Sequence, residues 1–149
     1  MTEWAVMAER VPTSQLAVVL RDAITRLNRR VRQTRPVGDI TVTQLSALAS
    51  LELAGAMSPR ELADTERVRP PTMTKIVAKL EARGLVQRSP HPTDGRQVVL
   101  AATAKGRELL RQIERARDEW LTQRLAELTA AERDVLQRAA ELLRRVARG

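Results

Sequence analysis

Along most of this chain apolar residues recur at steps of three and four, the spacing of one buried helix face. Leu16, Val19, Leu20, Ala23, Ile24, Leu27 and Val31 follow that spacing and predict a first helix from near Thr13 to Gln33, ended by Pro36-Val37-Gly38-Asp39. Thr41-x-x-Gln44 reads as a capping box, in which each side chain bonds the other residue's backbone N–H. It opens a second helix with Leu45, Leu48, Ala49 and Leu51 inside, stopped at Gly55. Ser58-Pro59-Arg60-Glu61 opens a short third helix over 59–65, with Leu62 and Ala63 facing in and Asp64-Thr65-Glu66-Arg67 turning the chain. A fourth helix follows Pro70 over 71–83. Its Met73, Ile76, Val77 and Leu80 make one core face, and Gly84 is its stop. Thr103 opens a long fifth helix through Leu109, Leu110, Ile113, Ala116, Trp120 and Leu121 toward Leu125. Thr129-x-x-Glu132 caps a sixth, striped by Val135, Leu136, Ala139, Leu142, Leu143 and Val146.

One stretch breaks the helical period. Leu85-Val86-Gln87-Arg88 and Gln97-Val98-Val99-Leu100 flank His91-Pro92-Thr93-Asp94-Gly95-Arg96. Two short apolar runs around a Pro and an Asp-Gly pair predict a β-hairpin with a tight tip. Gly95 permits a positive φ there, and Pro90 and Pro92 stiffen the approach. The order is helix, helix, short helix, helix, hairpin, helix, helix. Residues 41–102 read as a self-contained unit. The flanking helices, 13–35 and 103–149, carry apolar stripes with no partner inside it. Those stripes pair with a second chain or pack as a bundle within one.

Composition narrows the chemistry. Of 149 residues 43% are hydrophobic, enough for a core, but Trp4 and Trp120 are the sole aromatics. Lys and Arg number 26 against 18 Asp and Glu, a net charge of +8. That excess points to a polyanionic partner, of which nucleic acid is the commonest. With no cysteine and one histidine, thiolate metal sites, disulfides and thiol redox sensing are excluded, and a metal or haem site has almost nothing to build on. No cofactor is expected. Met1 to Pro12 is too polar for a signal peptide, and no run approaches the ~20 apolar residues of a membrane span, so the chain reads as cytoplasmic. It has no nucleophile elbow, P-loop, dinucleotide fingerprint or pocketed carboxylate pair, which argues against an enzyme.

The third and fourth helices form a helix-turn-helix pattern. Thr72, Thr74, Lys75 and Lys79 occupy outward positions of the fourth. Small hydroxyls at its start can approach base edges, its N-terminal N–H groups and dipole attract phosphate, and the lysines add charge beside the backbone. An ordinary surface helix would look similar. The hairpin that follows makes the pattern a winged helix. Arg96 at the tip can enter a minor groove. Asp94 stands where it can hold the Arg96 guanidinium or pair with Arg88, and His91 touches phosphate or is simply solvated.

The stretch from Arg69 through Arg88, then Asp94-Gly95-Arg96, then Val98 to Gly106, resembles the MarR family of bacterial winged helix-turn-helix regulators. The family pattern is a helix ending in L-E-x-x-G-L-V-x-R, a wing with D-x-R, and a strand leading to L-T-x-x-G. Here the wing has Gly95 where the family often has Arg, which removes one phosphate contact. The L-T step is stretched over Leu100-Ala101-Ala102-Thr103. The resemblance spans nearly all of residues 1–149. It implies a mainly α fold, α+β by the small wing, with N- and C-terminal dimerisation helices. Its order is helix, helix, an optional short strand, short helix, helix, strand, wing, strand, helix, helix. It also implies a homodimer on palindromic double-stranded DNA, contacts from Arg69, Pro71, Thr72, Thr74, Lys75, Lys79, Arg88, Asp94 and Arg96, and promoter repression relieved by a small-molecule effector. The lack of Phe and Tyr argues against an aromatic-lined effector pocket, while the first helix's arginines could meet an acidic ligand or water. Two other readings fit the residues: an architectural DNA-binding protein without effector, and a winged-helix protein-interaction module.

Overall fold

The structure, a computed structural model, describes residues 11–34 and 39–148. The readings made above for Met1 to Arg10 and for Pro36-Val37-Gly38 lie outside those residues. Among the described residues the elements run α1 (Thr13–Gln33), α2 (Val42–Ala54), α3 (Pro59–Thr65), α4 (Pro70–Ala82), β1 (Val86–Pro90), β2 (Val98–Ala102), α5 (Ala104–Ala126) and α6 (Ala130–Arg148). The chain divides into two compact units within α5, between Glu119 and Trp120.

The first unit holds α2 through the first half of α5. Its helices start where side chains can serve the unpaired N–H groups of the first turn. Both capping boxes form: Thr41 with Gln44 on α2, and Ser58 with Glu61 on α3. α2 ends at Gly55 with φ 84°. α4 ends at Gly84, φ 68°, where the N–H groups of Gly84 and Leu85 donate to Glu81 and Leu80 in a six-residue reverse turn. The core gathers around Leu48, Leu51, Leu62, Met73, Val77, Leu80 and Leu100, all essentially inaccessible. Leu109 and Ile113 of α5 complete it. On α2 the inner alanine is Ala47, not the expected Ala49, because the helix also turns Gln44 and Leu51 inward.

β1 and β2 pair antiparallel, from Val86↔Ala102 to Pro90↔Val98. Met57 adds one bridge to Leu100, and this is the short strand before α3. The tip is not tight. It spans residues 91–97 and is closed by the His91 N–H donating to Gln97 (2.9 Å), with Gln97 N–H donating to Asp94 (3.0 Å) inside it. Nor does Gly95 have a positive φ, and a Cβ there would meet nothing within 4 Å.

The family-type glycine at 106 has a different reason. A Cβ on Gly106 would lie 2.2 Å from the carbonyl oxygen of Leu85 and 3.1 Å from Leu48 Cδ1. Only a residue without a side chain lets α5 begin against the end of the recognition-helix turn. Thr103 caps that start: its hydroxyl accepts the Gly106 N–H and donates to the Gly84 carbonyl.

The second unit holds α1, the rest of α5, and α6. The Thr129–Glu132 box opens α6 as expected. Neither α1 nor α6 buries a single residue. Among the described residues, no helix is long and apolar enough to cross a membrane.

Candidate nucleic-acid interface

α4 sits with Met73, Ile76, Val77 and Leu80 turned into the core, so the opposite face is fixed outward. Thr72, Thr74, Lys75 and Lys79 are all exposed on it, with Arg69 and Pro71 exposed at its start. These are the positions expected of a reading helix. Two details differ from the expectation. Thr74 Oγ1 donates to the Pro70 carbonyl at 3.0 Å, so toward DNA that hydroxyl has only lone pairs to offer. The helix start also has no free N–H groups for phosphate. Pro70 and Pro71 have none, and the N–H groups of Thr72 and Met73 both donate to the Arg69 carbonyl at 2.9 and 3.0 Å. Attraction there rests on the helix dipole and on side-chain charge.

The start of α2 lies against this helix. Thr41, Thr43 and Gln44 line a groove of about 200 Å³ with Thr72, Lys75 and Lys79. Sequence reasoning passed over Thr43 and Gln44, because a capping box explains itself locally. The groove exists only because α2 and α4 pack side by side.

In the wing, neither pairing expected of Asp94 forms. Asp94 Oδ1 accepts the backbone N–H of Arg96 at 3.1 Å, so it shapes the turn and leaves the guanidinium alone. Arg88 pairs with Glu81 instead. Its Nε and Nη2 donate to the two carboxylate oxygens at 3.0 and 3.2 Å, a fork across the Gly84 turn. That bond holds the guanidinium of Arg88 charged above its ordinary range. Glu81 and Arg88 stand in the same L-E-x-x-G-L-V-x-R stretch, but seven residues apart. Their meeting depends on the reversal at Gly84, which spacing alone does not show. Arg96 is exposed, and among the described residues no carboxylate pairs with it. His91 is half-buried, with its ring turned back onto the wing tip.

No group of three or more His, Cys, Asp or Glu that could hold a metal occurs among the described residues. The exposed face of these elements is polar and basic: α4, a groove beside it, and an arginine-tipped wing.

Comparison with known proteins agrees with this geometry. The model of the MarR family matches residues 40–98. An uncharacterised HTH-type transcriptional regulator of Mycobacterium bovis is 48% identical over 130 residues, covering 87% of this chain and 91% of that protein. The crystal structure of a transcriptional regulator protein from Pseudomonas aeruginosa superposes with a TM-score of 0.78 at 32% identity, over 91% of this chain and 96% of that one. A mutant MarR from Escherichia coli, complexed with operator DNA, superposes at 0.57 with 26% identity, over 86% of this chain and 92% of that one. The chain thus belongs to the MarR family: it is a transcriptional regulator with the DNA-binding winged-helix fold, not an enzyme.

Proposed function

We propose that this regulator binds a palindromic promoter site as a homodimer and represses transcription there, and that a small molecule releases it. The observation that carries the dimer is the exposure of both terminal stripes. Leu16, Ile24 and Leu27 of α1 are 46–49% exposed, and Leu136 and Leu142 of α6 are 45% and 54% exposed. Apolar faces this long, left in water, mark an association surface. A two-fold dimer places two recognition helices on half-sites about one DNA turn apart. In this reading, 13–35 and 103–149 supply the dimerisation helices and 41–102 the DNA-binding unit. Lys75, Lys79 and Arg69 meet phosphate, Thr72 and Thr74 approach bases beside Pro71, and Arg96 enters the minor groove with Asp94 shaping its turn. Arg88 serves through its fork to Glu81. The effector acts by preferring a spacing of the two helices that does not fit DNA.

The test is fluorescence anisotropy of the full chain on a duplex from its own upstream region, beside a scrambled duplex, over a salt series. A large preference for the first, with steep salt dependence, is expected. Arg96→Ala should weaken the specific complex by about 1–3 kcal/mol. Equal binding to both duplexes would favour an architectural binder. Absence of binding to either at low salt would favour a protein-interaction module.

A further inference from the structure

His91 is the first residue after β1, and its side chain organises the wing tip. The backbone N–H groups of Thr93 and Asp94 both donate to its Nδ1, each at 3.2 Å. The Thr93 hydroxyl lies at 3.2 Å from the same nitrogen. The hydrogen of a backbone N–H is fixed in place, so Nδ1 must present a lone pair. The ring is therefore neutral, with its proton on Nε2. An Asn or Asp side chain does this job in an Asx-turn, accepting N–H groups two and three residues on. Here an imidazole does it.

The bonds continue from there to Arg96. Asp94, held through its own N–H by His91, accepts the N–H of Arg96 on Oδ1 at 3.1 Å. Its carbonyl accepts the N–H of Gln97 at 3.0 Å. The conformation at Arg96 thus depends on Nδ1 of His91 through one intervening residue.

We propose that His91 is a positioning residue for the wing that works only as the neutral imidazole: it caps the tip turn and sets Arg96 for DNA, and a proton on Nδ1 undoes the cap. The proton comes from solvent. It turns the acceptor into a donor aimed at two N–H groups, which lose their partner. The charged ring has other places to go. Its Nδ1–H can donate to the Thr93 hydroxyl, and Glu61 of α3 attracts it. Hydrogen bonds from the Ser58 backbone and hydroxyl hold the Glu61 carboxyl below its ordinary range, with His91 contributing a smaller pull. Within the wing, Asp94 is the other carboxylate close by, and it is already turned to the Arg96 N–H.

The inference rests on the reading that Arg96 contacts DNA, so its test has an arm without DNA. In the free chain, NMR follows the His91 ring and the Thr93 and Asp94 amides between about pH 8 and about pH 5.5. The two amides should move with the ring in one titration. In His91→Asn, which keeps an acceptor but cannot titrate, they should stay still. Amides that ignore the ring would overturn the proposal. The second arm measures the cost of Arg96→Ala on binding to the selected duplex at both pH values. Comparing costs removes the general attraction of an added positive charge for phosphate. The cost should shrink roughly threefold to tenfold at low pH, the size of one or two lost exposed hydrogen bonds, and stay constant in the His91→Asn background. A cost independent of pH in the His91 chain would also overturn the proposal. Responsive amides with no Arg96→Ala cost at either pH would leave the cap standing and remove Arg96 from the DNA interface.

Discussion

The two units of this chain are made of similar residues and differ in what those residues do. From α2 to the middle of α5, leucines, valines and alanines close on one another, and Leu48, Leu51, Leu62, Leu80 and Leu100 are fully buried. In α1 and α6 the same residue types form stripes as regular, yet neither helix buries a residue. Each fully buried aliphatic side chain contributes about 1.5–3 kcal/mol. The winged unit collects that contribution within one chain. The terminal helices leave it uncollected, so a second surface has a large driving force to cover them. A periodic stripe predicts a helix in both units, but says nothing about which chain supplies the other side.

The sharpest way to break the comparison is to put a charge into one stripe. Leu142→Glu should leave the winged unit folded and abolish the proposed dimer, since a carboxylate buried without a partner costs several kcal/mol. Analytical ultracentrifugation at micromolar protein should find a monomer. A wild-type chain that is already monomeric would return the stripes to an intrachain bundle. In the closed unit, Leu48→Ala should lower stability by about 2–5 kcal/mol, read by denaturant unfolding. Gly106→Ala should cost about 1–3 kcal/mol, because its methyl meets a backbone carbonyl that cannot turn aside. If that variant is as stable as wild type, α5 does not need its close start. The smallest effect is acid fraying of α6. Its first turn depends on Glu132, whose carboxyl is held below the ordinary 4.5, first by the Thr129 backbone N–H and then by the Thr129 hydroxyl. A lowered carboxylate stabilises the fold above its unfolded value, and the benefit is lost as pH falls through the folded one. Amide exchange at the start of α6 should therefore rise below about pH 4.5, and Glu132→Gln should remove most of that dependence.

The helices were legible because their signals are local. Three capping boxes, at Thr41, Ser58 and Thr129, each complete within four residues, and the core face of α4 repeats over about two turns. The outward set of Thr72, Thr74, Lys75 and Lys79 follows once that face is known. The wing's existence was legible too, but its tip was not. Asp94-Gly95 suggests a two-residue turn, yet an imidazole three residues earlier sets the conformation from the side. The partner of Arg88 was hidden for a similar reason, since Glu81 reaches it only after the chain reverses at Gly84. The bare start of α4 was readable in Pro70-Pro71, but the Arg69 carbonyl that takes the next two N–H groups was not.

The close start of α5 has a mechanical side. Thr103 bonds the Gly84 carbonyl, Lys105 Nζ donates to the Arg83 carbonyl at 2.8 Å, Arg107 donates to Ala102, and Gly106 has no room to slide. The end of the reading helix, the root of the wing and the head of α5 are riveted into one stiff corner. Within the winged unit α5 runs from that corner to Glu119, so that a displacement of this stretch acts as on a crank handle, turning reading helix and wing together.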